Sequence, residues 1–318
     1  MPPWLHDLGG GVHCIDTGFQ RDRFDAAYLL VQDGHAAFVD TGTNHAVPRL
    51  LGALQHLGLP ESAVDFVIPT HVHLDHAGGC GLLMQSLPAA RLVVHPRGAR
   101  HLIDPTVLYA GALAVYGAEE MARSYGELVP VAAERVMTSH DGMTLEAAGR
   151  TLLFADTPGH ARHHHCIWDP TTRGWFTGDT FGASYREFDT SAGPWLIPVA
   201  TPPQFEPEAL RLSVQRLLAM QPHCVYLTHF GRLEVLPDRT AHMLGVLDDL
   251  VQLGHACQGR AGRHDALRRG VLELLTASLH AHGCTLPAAS VAELLEVDLE
   301  LTAQGLGTWL DRQQSSAA

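Results

Sequence analysis

Residues 67–79 read VIPTHVHLDHAGG and place three imidazoles and a carboxylate within six positions: His71, His73, Asp75 and His76. The apolar run Val64 to Ile68 leads into this stretch and predicts a buried strand that ends where the histidines begin. In extended backbone, residues two apart face the same side, so His71, His73 and Asp75 are able to converge on one volume. Ala77, Gly78 and Gly79 then let the chain reverse and start a helix. Imidazole nitrogen suits borderline metals such as zinc, and a carboxylate suits a harder or more open position. The fold must therefore bring a strand end to a metal site.

This HxHxDH motif, in its setting of strand, loop and glycine-rich helix start, resembles the metallo-beta-lactamase-fold superfamily of metallohydrolases, in its glyoxalase II and lactonase-like branch. The resemblance implies further ligands in a set order, and they follow: His160 in TPGH, Asp179 in FTGDT and His229 in YLTHFG. It covers about residues 11–232 and implies an α/β fold, a four-layer αβ/βα sandwich. It implies two divalent metal ions per chain, zinc first, with iron and manganese as alternatives. His71, His73 and His160 would hold one ion, Asp75, His76 and His229 the other, with Asp179 between them. Asp40, in VDTGT, is implied to hold the metal loop from outside by hydrogen bonds, although strand-ending Asp residues are also common without such a role. Within TPGHARHHH the match aligns His160 with the ligand and His164 with a nearby non-ligand histidine.

The implied chemistry is attack of a metal-held hydroxide on an ester, thioester, lactone or amide carbonyl of a small substrate. Asp75 would also carry a proton to the leaving group. The same residues bind iron, so an iron-dependent oxidoreductase (persulfide dioxygenase-like or di-iron and oxygen-reducing) is the alternative, and a metal-binding regulatory protein without turnover is a third reading. Asp75, His76 and His229 favour the hydrolase over a mononuclear dioxygenase. Glyoxalase II relatives grip glutathione through a basic patch that usually includes Lys, whereas all 21 cationic residues here are Arg.

A formal net charge of −13 argues against a nucleic-acid partner, which draws on clustered basic residues. Six widely spaced cysteines without a CxxC pair predict buried thiols rather than a disulfide framework. The first residues lack a signal-peptide pattern, and no apolar run of membrane-spanning length occurs, so a cytoplasmic protein with no membrane partner is expected.

Before the motif, residues 11–40 read as a β-meander and residues 47–57 as a helix. Residues 143–147 and 150–156 read as a hairpin, as do HCIWD and GWFTGD. Two stretches are expected to reach the pocket. Residues 104–135 are helical by propensity and offer Tyr109, Tyr116 and Tyr125. Residues 184–204 follow Asp179 and offer Tyr185, Phe188 and Trp195, with Arg186 as an anchor for a substrate carboxylate. Ordinary packing is the competing reading for each. From 236 onward the pattern is helical, at 239–256, 265–282 and 291–313, with apolar faces too wide to stand alone in solvent. The expected division is a catalytic domain over 1–235 and a helical extension over 236–318, packed on the core or forming a homodimer.

Overall fold

The computed structural model describes residues 1–317. They form two compact units. The first comprises Met1–Asp156, His163–Gly178 and Pro222–Glu234; the second comprises Thr157–Arg162, Asp179–Gln221 and the chain from Val235 onward.

The first unit holds both sheets found among the described residues. One contains β1 (Leu5–Asp7), β2 (Val12–Asp16), β3 (Ala26–Gln32), β4 (His35–Val39), β5 (Val64–Ile68), β6 (Arg91–Val94) and β7 (Val136–Thr138), hydrogen-bonded in that order. Antiparallel pairing from β1 to β4 gives way to parallel pairing from β4 to β7. The other sheet runs β13-β12-β11-β10-β9-β8, from β8 (Thr144–Ala147), β9 (Arg150–Asp156), β10 (His165–Asp169), β11 (Gly174–Gly178), β12 (Cys224–Leu227) and β13 (Gly231–Glu234). This is a mixed α/β architecture with two sheets and several helices, as the resemblance implies.

Period-two alternation explains why the strands of the first sheet read as unbroken apolar runs: each face meets its own core. Ala27, Leu29, Phe38, Val67, Leu92 and Val94 face one core, built with α1 (Val47–His56) and α3 (Cys80–Ser86), the latter preceded by the single turn α2 (Leu74–Ala77). Ala26, Tyr28, Leu30, Val39, Ile68 and Val93 face the other, where Leu152, Phe154, Ile167, Phe176 and Tyr226 of the second sheet meet them. Two further helices, α4 (Pro96–Ile103) and α5 (Thr106–Glu120), follow β6. Residues 104–135 are helical only in part: α5 has no buried residue and carries a non-helical Gly117, and one π-helical turn follows at Met121–Tyr125.

The second unit is helical, with α6 (Pro207–Ala219), α7 (Pro237–Cys257), α8 (Arg263–Ala281), α9 (Ala288–Leu294) and α10 (Glu296–Ala317). The helix expected over 291–313 is broken at Leu295, which leaves helical geometry at φ −102° and ψ 14° while fully buried. Leu247, Val271, Leu275, Leu306 and Trp309 are buried among these helices. Among the described residues no helix is long and apolar enough to cross a membrane.

Candidate metal centre

Strand ends build the site. β4 ends in Asp40, a non-glycine residue at φ 56°, a left-handed conformation that Asp tolerates better than most side chains. Its buried carboxylate gathers three segments. Oδ1 accepts from the Thr70 backbone N–H at 2.7 Å and the Thr70 hydroxyl at 3.0 Å, just past β5. Oδ2 accepts from the Thr228 hydroxyl at 2.7 Å, just past β12, and from His76 Nδ1 at 2.9 Å.

With Nδ1 donating to Asp40, His76 presents Nε2 outward. His229 is oriented in the same way, because its Nδ1 donates to the Phe24 carbonyl at 3.0 Å. Both Nε2 atoms approach Asp75 Oδ2, at 3.8 Å from His76 and 3.5 Å from His229. Ligands about 2.0–2.2 Å from a tetrahedral ion lie roughly 3.3–3.6 Å apart; the 3.5 Å spacing falls in that range and the 3.8 Å spacing just beyond it, and the nitrogen and carboxylate donor set suits a divalent metal. Asp75, His76 and His229 form a group that could hold such an ion.

His71 and His73 lie beside this group, with His71 Nε2 2.8 Å from His73 Nδ1 and the His71 and His76 ring centroids 4.0 Å apart. The His164 ring stacks on His71 at 4.9 Å. Gly178 allows this close packing, since a Cβ there would lie 2.6 Å from both His164 Nε2 and Thr70 Oγ1. His163 Nδ1 accepts from the Val72 N–H at 3.4 Å.

In the second unit His160 and Asp179 come together, with Nε2 and Oδ2 3.2 Å apart. His160 Nδ1 faces the Val199 carbonyl at 3.4 Å, and Thr201 Oγ1 lies 3.4 Å from its Nε2. Gly159, at φ 134°, lies so close to Leu210 that a Cβ would meet its backbone nitrogen at 2.2 Å, which fixes the approach to His160.

Tyr185, Phe188 and Trp195, expected at the pocket wall, are 2%, 0% and 1% exposed and pack inside the second unit. Tyr185 donates to Asp298 Oδ1 at 2.8 Å and Trp195 Nε1 to Ser278 Oγ at 3.0 Å, which fastens the 184–204 loop to α10 and α8. Arg186 donates to the Ser184 carbonyl at 2.6 Å and lies 3.4 Å from Asp189, so its charge is engaged locally. Tyr109 and Tyr116 are partly exposed, and Tyr116 packs on Tyr125 with ring centroids 5.1 Å apart.

Sequence reasoning missed Asp25. It is fully buried immediately before β3, Thr17 donates to its Oδ2 at 2.8 Å, and burial pushes its carboxyl up to about 8, opposed by His229 and His76. An acidic residue opening the apolar run AAYLL was the available signal.

A two-sheet α/β fold whose strand ends carry a His and Asp group able to hold metal ions defines the class of this protein. The model of the metallo-beta-lactamase superfamily matches residues 21–229, and the chain belongs to that superfamily. It is 24% identical over 231 residues to a metallo-beta-lactamase fold-containing protein of Sulfurisphaera tokodaii, which covers 70% of this chain and 78% of that one. It is 30% identical over 152 residues to a hydroxyacylglutathione hydrolase of Stenotrophomonas maltophilia. That match takes in 48% of this chain and 44% of the relative, so the chain spans less than half of that protein's length. A metallo-beta-lactamase family protein of Thermus thermophilus shares the fold, with a TM-score of 0.66 at 20% identity over 98% of this chain and 96% of that one.

Proposed function

We propose that the chain is a metal-dependent hydrolase that cleaves an ester, thioester, lactone or amide carbonyl in a small substrate. In this reading His71, His73 and His160 serve one divalent ion, Asp75, His76 and His229 a second, and Asp179 both, with zinc as the metal. The observation that carries it is the convergence of His76 Nε2 and His229 Nε2 on Asp75 Oδ2, with the far nitrogen of each ring already committed to Asp40 or to the Phe24 carbonyl. Superfamily membership and the order in which the seven residues occur along the chain support the assembly of the full set.

When bound, a pair of divalent ions supplies Lewis acidity and lowers the pKa of water to roughly 7. The chain's own residues do the rest. Asp40 and the Phe24 carbonyl hold His76 and His229 in the tautomer that offers Nε2. The Asp75 side chain is 21% exposed against 0% for His76 and 7% for His229. It is therefore the member of the trio that can take a proton on a carboxylate oxygen and pass it to a departing alkoxide, thiolate or amine. A net charge of −13 disfavours a nucleic-acid substrate.

A substrate screen on zinc-loaded protein tests this. Hydrolysis of aryl or alkyl esters, thioesters or lactones is the expected result. Phosphodiester cleavage without acyl hydrolysis would overturn it, and oxygen consumption with a persulfide would promote the iron chemistry in its place.

A further inference from the structure

The third histidine of the HHH run plays no part in the ligand set, yet it touches the strand that delivers that set. His165 opens β10, in the second sheet, and is 1% exposed. Its ring reaches across to two strand ends of the first sheet. Nε2 lies 3.0 Å from the Pro69 carbonyl, and Nδ1 lies 2.7 Å from Ser139 Oγ. Because a carbonyl only accepts, Nε2 carries the proton; the neutral ring then accepts at Nδ1, and the Ser139 hydroxyl donates. Burial lowers the His165 pKa to about 3, which keeps the ring neutral and this direction of donation fixed. Its backbone N–H donates to the Thr70 carbonyl at 3.0 Å. Ser139 is itself buried and anchored, with its N–H donating to the Val94 carbonyl at 2.9 Å at the end of β6.

The peptide just ahead of His71 is therefore held from two sides. Asp40 takes the Thr70 N–H and hydroxyl, while His165 takes the Pro69 and Thr70 carbonyls. Packing alone would not require this arrangement, because Phe154, whose ring contacts His165 at 5.1 Å, shows that an apolar side chain would suit the same core. We propose that His165 is a positioning residue for the metal centre: with Ser139 it clamps the end of β5, so that His71 and His73 leave the strand in ligating geometry. The inference rests on the proposed reading of the site as a metal centre, but not on which substrate is hydrolysed.

The test compares zinc affinity, by chelator competition on the full chain, for the parent, His165→Leu, His165→Gln and Ser139→Ala, together with the thermal midpoint of each metal-free protein. Loss of a partner outside the ligand set costs about 10- to 100-fold in metal affinity, and His165→Leu is expected in that range. His165→Gln keeps an N–H that can reach the Pro69 carbonyl and should recover most of the loss. Ser139→Ala removes one hydrogen bond and should weaken binding about 3- to 10-fold and shift the absorption of the cobalt(II)-substituted protein. Equal zinc affinity in Leu, Gln and parent proteins, with only the metal-free midpoint lowered, would overturn the proposal and make the ring a packing element. If His165→Leu does not fold, Ser139→Ala decides: unchanged affinity together with an unchanged cobalt spectrum overturns it. A parent chain that binds no metal would instead sink the proposed function, and this inference with it.

Discussion

Asp40→Ala is the substitution whose consequence follows most directly from the geometry. The carboxylate receives contacts from the Thr70 N–H and hydroxyl, the Thr228 hydroxyl and His76 Nδ1, all within 3.0 Å. Two of these donors can reorient, because the Thr70 and Thr228 hydroxyls rotate about their C–O bonds. The Thr70 N–H is a fixed backbone donor, and the His76 Nδ1–H has the Thr70 hydroxyl oxygen at 3.4 Å as a longer alternative. Leaving a buried donor unpaired costs about 1–3 kcal/mol, so the predicted loss is roughly that for the Thr70 N–H, with a smaller part from the weakened His76 bond. Urea unfolding of the metal-free protein, followed by tryptophan fluorescence, measures it. Asp40→Asn retains one acceptor oxygen and should lose about half as much. Zinc affinity should fall about 10- to 100-fold in the Ala variant, because His76 loses the partner that sets its tautomer. A stability change within about 0.5 kcal/mol, the range of ordinary surface substitutions, with unchanged zinc affinity would refute the reasoning and leave Asp40 as a plain strand terminator.

Three further outcomes are expected. His160→Ala should lose metal more severely than His164→Ala in equilibrium dialysis against zinc, and the reverse order would move the ligand role to His164. Trp195→Ala should lower stability by about 3–5 kcal/mol, the cost of emptying a buried aromatic site, with KM near that of the parent; a raised KM with unchanged stability would instead place Trp195 at the substrate, as the sequence reading expects. Because His165 has its pKa lowered in the fold, its neutral form contributes stability that is complete above pH 6.5 and is lost as pH falls toward 3. The drop from 6.5 to about 3 corresponds to roughly 4–5 kcal/mol at most. Urea midpoints of metal-free protein between pH 7.5 and 4 should therefore fall more steeply for the parent than for His165→Gln, and parallel profiles would contradict this.

The strands of the first sheet were legible where both faces are buried, because AAYLL and RLVV announce themselves as apolar runs. β7 and β13 were not. β7 is three residues long, and β13 interleaves exposed Arg232 and Glu234 with buried positions. The HxHxDH stretch could be read only in part: His71 and His73 lie two apart ahead of α2, whereas Asp75 and His76 fall within that helical turn, so the extended-chain spacing does not place Asp75. The loop at 184–204 was ambiguous in the sequence. Its aromatic and proline content fits a pocket wall and a packed crossing equally well, and the partners that fasten it, Ser278 and Asp298, lie some 80 to 110 positions further along the chain. His165 was obscured by its neighbours, since nothing in HHH says which ring takes the Val72 N–H, which stacks on His71 and which reaches Pro69.

The most direct test of the central claim is the rate of 4-nitrophenyl ester hydrolysis by metal-free protein titrated with zinc. The account predicts no turnover without metal, a rise that levels off at about two equivalents per chain, and loss of that rise in Asp75→Ala. A plateau at one equivalent would contradict the two-ion site, and an absence of hydrolysis at saturating zinc would contradict the hydrolase.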